Sequence, residues 1–236
     1  MKQHRFLIDQ KLSNQDEITI TEQAIIHQMR NVLRLRVGDP IIFLDGTGIE
    51  WHGRVKILIK NFSKISKEVM KKKSKSSKEN LKKINLYSAM IKKDKYEWVL
   101  QKGTEIGVSR FIPVITKRTE KVNLNIERAQ KIVKEAVEQS ERVDVPALSE
   151  PIDIKTAVAQ CETDMLVFDK SGELFSVSQY KDSKEVNIFT GPEGGFDESE
   201  IEMFKEKGAK ILSLGDCVLR AETAAIIIPA LFVFKN

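Results

Sequence analysis

Residues 187–200 read NIFTGPEGGFDESE. Ile188 and Phe189, suited to a buried strand, lead to Thr190. Three glycines, a proline and a glutamate follow within five positions, and Asp197 with Glu200 then forms the capping pattern of a helix start. The stretch therefore reads as strand, glycine loop, helix. A second such unit comes at once in KILSLGDCVLRAET, residues 210–223. In open α/β sheets ligands bind at the carboxyl ends of strands, so two glycine loops on neighbouring strands predict one cleft.

The rest of the chain from residue 84 onward fits the same architecture. INLYSAM, RFIPVIT and DMLVFD are strand candidates, and the continuous apolar runs suit strands buried on both faces. Asp94 is expected to cap a helix that buries Tyr96, Val99, Leu100 and Gly103. The stretch 127–140 carries Ala129, Ile132, Val133, Ala136 and Val137 at helical spacing. Strands alternating with helices predict a mainly parallel α/β sheet. The last helix, 221–234, is apolar almost all round but carries Arg220, Glu222 and Thr223 at its amino end. That pattern predicts a buried rod with its tip in a site.

The first 68 residues differ. HRFLI and EITI suggest short strands, 21–32 a helix, and PIIFLDGTGIEWHGRVKILI a hairpin turning at Asp45-Gly46. This predicts a small β-barrel domain over residues 1–68. A lysine-rich linker continues to about residue 83, and an α/β domain covers 84–236. Residues 63–83 hold nine lysines and two glutamates, a local charge of +7, and the remainder of the chain carries −2. The basic balance thus belongs to one segment, which reads either as a solvated linker or as a polybasic strand for phosphates.

Composition narrows the function classes. The 236 residues are 41% hydrophobic and 31% charged, as in ordinary globular proteins. The longest apolar run, 224–234, is far short of the ~20 residues that span a bilayer. The first residues lack a signal-peptide core, so a cytoplasmic protein is expected. Two cysteines, Cys161 and Cys217, fit a reducing compartment, and no histidine or cysteine pattern indicates a metal. His4, His27 and His52 all precede the lysine-rich segment.

The glycine loop is neither a P-loop nor a GxGxxG fingerprint, and Glu193 would repel a triphosphate. Exposed amides and carbonyls without positive charge suit a neutral base and ribose, or a cationic ligand. A tight turn with no ligand is the alternative.

TGPEGGF, LGDCVLRAETAA, LQKGTEIGV and EAVEQSERVDVP, together with HRFLI, HQMRNVLRLRVGD and LDGTG, resemble the RsmE family of small-subunit (16S) rRNA uridine-N3 methyltransferases of the SPOUT superfamily. The resemblance spans nearly the whole chain in order. It implies an amino-terminal PUA-like RNA-binding barrel and a carboxy-terminal SPOUT α/β domain threaded into a trefoil knot. It also implies a homodimer formed through the last helix, and methylation of N3 of one uridine in the decoding region of 16S rRNA within the small ribosomal subunit.

The implied methyl donor is S-adenosylmethionine (SAM). Its pocket would be formed by Phe168, Thr190, Gly191, Pro192, Glu193, Gly194, Gly195, Leu214, Gly215, Val218 and Leu219. Arg220 is the candidate donor to the uracil oxygens, and Glu222 the candidate proton acceptor or partner that orients Arg220. Cys217 is expected to be a buried spectator. Arg5, Arg30, Arg34, Lys102, Arg118 and Arg142 are candidate phosphate contacts, and Glu138 and Gln139 are left open as lining of the active site. Two rivals share these features: a related methyltransferase acting on tRNA or 23S rRNA, and a non-catalytic RNA-binding assembly factor.

Overall fold

The computed structural model describes residues 3–72, 82–120, 123–180 and 182–234. The chain divides into two compact units, one of residues 1–78 with 137–145, the other of 79–136 with 146–236.

In the first unit a five-stranded sheet has the order β1-β3-β4-β5-β2, formed by β1 (His4–Leu7), β2 (Glu17–Ile20), β3 (Pro40–Leu44), β4 (Ile49–Leu58) and β5 (Ser63–Lys72). The β3–β4 hairpin turns at Asp45, whose carboxylate accepts from the Thr47 amide and hydroxyl. Phe6, Phe43 and Trp51 form a ring cluster in the core with Ile25, Ile26 and Met29. The helix expected over 21–32 is shorter. α1 (Gln23–His27) passes into a π-turn at Gln28–Val32, where bonds run to the residue five back.

The start of the lysine-rich segment is also corrected. Ser63–Lys72 is strand β5 rather than linker, because Ser63 and Ile65 are buried while β4 and β2 pair along it. Residues 73–81 of that segment lie outside the described residues.

Residues 137–145 return to the barrel. The Glu138 carboxylate accepts from the Leu7 amide at 2.8 Å, the Gly48 amide donates to the Val143 carbonyl at 3.2 Å, and Val143 clusters with Leu7, Ile42 and Leu44. The motif EAVEQSERVDVP thus has a structural duty here, and Glu138 is placed in this joint.

The second unit is built on a sheet of order β12-β10-β11-β6-β7-β8, with β9 also on β7, and every described pairing is parallel. The strands are β6 (Lys83–Ala89), β7 (Arg110–Ile115), β8 (Ala147–Leu148), β9 (Ile152–Asp153), β10 (Met165–Leu174), β11 (Glu185–Thr190) and β12 (Lys210–Ser213). The helices are α2 (Lys93–Ile106), α3 (Ile126–Gln139), α4 (Ile154–Ala159), α5 (Glu198–Glu206) and α6 (Ala221–Val233).

Alternation along β10 separates two cores. Leu166 and Phe168 pack with residues of α2, α3 and α6, whereas Met165 and Val167 pack with residues of α4 and α5. α2 starts after Lys92, with Asp94 in its first turn rather than at the cap. α5 has the expected capping box of Asp197 and Glu200. Among the described residues no helix is long and apolar enough to cross a membrane.

Candidate active site

The loops after β11 and β12 and a bulge within β10 bound one cavity of about 700 Å³. That volume lies within the ~300–1,000 Å³ range of small-molecule sites. All eleven residues expected around the methyl donor line it: Phe168 and Thr190, the run Gly191–Gly195, and Leu214, Gly215, Val218 and Leu219.

The first wall is the loop after β11. The Gly195 amide donates to the Pro192 carbonyl at 2.9 Å, closing a turn in which Gly195 has φ 70°. That conformation strongly favours glycine. The second wall, after β12, contains Gly215 at φ 111°, with Ser213 Oγ accepting from its amide at 3.2 Å.

The third wall was the least legible from sequence. β10 shifts register between Phe168 and Glu173, so Asp169, Lys170 and Ser171 bulge into the lining. Asp169 Oδ1 holds the Ser171 amide and hydroxyl at 2.9 and 2.7 Å. Gly172 then passes so close to β12 that a Cβ there would lie 2.4 Å from the Leu212 nitrogen. The floor is apolar, with Phe168, Leu212, Ala224 and Ile228.

Other expected site residues are distributed less evenly. Arg220 is the exposed cap residue of α6, between lining residues Leu219 and Ala221, and among the described residues its guanidinium has no ion-pair partner. Glu222 is corrected as the partner of Arg220. It is buried to 7% exposure and its carboxylate meets Lys95 Nζ of α2 at 3.2 Å. Lys95 therefore fixes the helix tip and neutralises the carboxylate. Cys217, expected to be buried, is exposed and lines the cavity.

The proposed phosphate contacts separate by burial. Arg30 and Arg34 are exposed, and Arg34 adopts φ 52°. Lys102 is half-exposed and pairs with Glu105 one turn on, a bond of little strength at a surface. Arg5 and Arg142 are corrected. Arg5 is partly buried and pairs with Glu50 at 2.7 Å, Glu50 is 3% exposed and also meets His52, and Arg142 is buried beside the half-exposed Asp144. Both guanidiniums are thus engaged within the first unit, Arg5 with a buried carboxylate and Arg142 with a half-exposed one.

Arg118 lines the cavity instead of standing apart from it. Its Nη1 donates to the Gly194 carbonyl at 2.8 Å and its Nη2 lies 3.5 Å from Asp197.

The fold and the cleft define an RNA methyltransferase. Residues 77–233 match the family described as the RNA methyltransferase domain, and residues 20–68 match the RNA methyltransferase PUA domain. The chain belongs to the ribosomal RNA small subunit methyltransferase E family. It is 33% identical over 232 residues to ribosomal RNA small subunit methyltransferase E of Rickettsia conorii, covering 96% of this chain and 93% of that one. The Bacillus subtilis protein of the same name is 32% identical, with 93% and 91% covered. The crystal structure of a ribosomal RNA small subunit methyltransferase E from Neisseria gonorrhoeae bound to S-adenosyl methionine superimposes with a TM-score of 0.87. It is 26% identical, with 97% and 96% of the chains covered.

Proposed function

We propose that this protein methylates ring N3 of one uridine in the decoding region of 16S rRNA, using SAM. The observation that carries this reading is the convergence of the glycine-rich loop Gly191–Gly195, the loop at Gly215 and the β10 bulge on a single cavity in a chain of this family. The residues present fit the donor. The apolar floor of Phe168, Leu212 and Ile228 suits an adenine ring, the main-chain groups of Gly191–Gly195 and Gly215 can approach it closely, and Asp169 and Glu193 suit hydroxyl groups and a positive sulfur.

When bound, SAM supplies an electrophilic methyl group on a sulfonium. The chain's own part is to hold the pyrimidine beside it. Arg220, always charged and rich in donors, would hydrogen-bond a uracil carbonyl oxygen on which negative charge grows as the N3 proton passes to water. Stabilising that charge lowers the barrier to making N3 nucleophilic. The Lys95–Glu222 pair supports the reaction by fixing the helix tip that carries Arg220.

Arg30, Arg34 and Lys102 would meet phosphates and set the register of the RNA rather than read bases. A second copy of the chain would cover α6. Ile227, Leu231 and Phe234 form one exposed apolar stripe at i, i+4 and i+7, and Trp98 is exposed on α2, the helix that packs on α6. A substrate in ribosomal RNA supports a cytoplasmic location.

The test is to incubate the protein with labelled SAM and small subunits lacking the modification, then map the methylated base. Label on N3 of a single 16S uridine is the expected result. Label only on tRNA or 23S rRNA would move the substrate assignment, and no transfer to any RNA would reject the enzyme.

A further inference from the structure

The loop Thr116–Thr119 (TKRT) was not expected near the donor, yet it is fastened to the glycine loop by several polar contacts. Glu200, 2% exposed, accepts the Lys117 amide through Oε1 and the Asp197 amide through Oε2, both at 2.8 Å. Lys117 Nζ meets Asp197 Oδ1 at 3.0 Å. Thr119 Oγ1 accepts the Thr116 amide at 2.9 Å and so fixes the short loop itself. This frame presents Arg118 to the cavity.

Arg118 is only partly engaged there. One bond goes to the Gly194 carbonyl at 2.8 Å, and the 3.5 Å approach to Asp197 is long. A guanidinium has five donors, so most remain available. The surrounding lining is acidic, with Asp169, Glu193, Glu198 and Glu202, and an incoming carboxylate would be repelled without a dedicated cation. Lys170 and Lys205 also line the cavity, but only Arg118 offers the planar fork that grips a carboxylate with two parallel bonds.

We propose that Arg118 recognises the carboxylate of the methyl donor's amino-acid tail, while the adenosyl part occupies the apolar floor. This rests on the cavity being the SAM site. The same guanidinium could serve an RNA phosphate, since both ligands are oxyanions; the ligand series below separates the two.

Calorimetry would compare S-adenosylhomocysteine with 5′-methylthioadenosine, which keeps the adenosine and the sulfur but lacks the amino-acid tail, and each variant would also be titrated with a 16S rRNA fragment. Arg118→Ala should weaken S-adenosylhomocysteine by about 10–100-fold, the worth of a charge-assisted pair, and leave methylthioadenosine within about twofold. Arg118→Lys should recover part of the loss, and thermal melts should show both variants folded. Equal loss of both ligands would overturn the proposal in favour of a loop brace. Loss of RNA affinity alone would overturn it in favour of a phosphate contact. If the unaltered protein bound neither nucleoside, the cavity assignment itself would fall, a result distinct from failure of Arg118 alone.

Discussion

Lys117 and Glu200, 83 positions apart in sequence, are joined by a 2.8 Å bond from the Lys117 amide to Glu200 Oε1. The other oxygen of the same carboxylate completes the capping box of α5. One buried side chain therefore fixes two loops of the donor cavity. Glu200→Ala leaves two amide donors without their acceptor. The expected cost is about 1–3 kcal/mol of stability, read by denaturant titration, with weaker SAM binding in calorimetry. Unchanged stability and affinity would show that the joint is dispensable.

Gly195, at φ 70°, shapes the first wall. A valine there must either adopt a disfavoured conformation, at about 1–3 kcal/mol, or reshape the turn. Gly195→Val should cost at least tenfold in SAM affinity. At Gly194 a Cβ would meet only Arg118, at an ordinary 3.4 Å, so Gly194→Ala should be the milder change.

Arg220→Ala should lower methyl transfer by about 10²–10³-fold, the typical worth of one donor to a developing oxyanion, with SAM affinity nearly unchanged. Single-turnover assays beside calorimetry separate the two effects. Turnover equal to that of the unaltered enzyme would remove Arg220 from the chemistry.

Asp197 accepts from Ser199 and Lys117, and these bonds hold its carboxyl at about 2, below the ordinary value of 3.8. A depressed folded-state pKa gives stability that is present above 3.8 and fades as the pH falls toward 2. Acid unfolding followed by circular dichroism should therefore show a contribution in that window which Asp197→Asn abolishes. An Asp197→Asn profile identical to the parent's between pH 4 and pH 2 would contradict this.

The stripe of Ile227, Leu231 and Phe234 is expected to be an interface between copies. Leu231→Glu should shift the protein to monomers in sedimentation velocity without unfolding it, since Leu231 is exposed on a helix whose opposite face is buried. A sedimentation coefficient unaffected by the change would place any dimer contact elsewhere.

Much of the architecture was legible because its cues are local. The apolar run 165–168, the strand formers Val186, Ile188 and Phe189, the glycine loop between strand and helix, and the Asp197–Glu200 box each declare themselves within a few residues. The cavity followed from them, although the two loops are not on neighbouring strands as expected: β10 lies between β11 and β12 and supplies the third wall. What escaped depended on contacts distant in sequence. Nothing near Arg5 announces Glu50, and nothing near Arg118 announces Gly194. Glu222 beside Arg220 suggested a pair, but the helix turns that carboxylate toward Lys95. The bulge at Asp169–Ser171 left only Gly172 as a trace, and a lone glycine does not specify a bulge. The lysine-rich composition of 63–72 concealed a strand, because lysines can occupy the solvent side while Ser63 and Ile65 are buried.

The return of residues 137–145 to the barrel bears on how such a molecule can be divided. A gene fragment ending within the lysine run would encode all five barrel strands yet omit Val143, Glu138 and the backbone acceptor for Gly48. Leu7, Ile42 and Leu44 would then face water. The amino-terminal half is therefore not sealed on its own, so recombination between relatives at that run would swap a barrel away from the peptide that seals it.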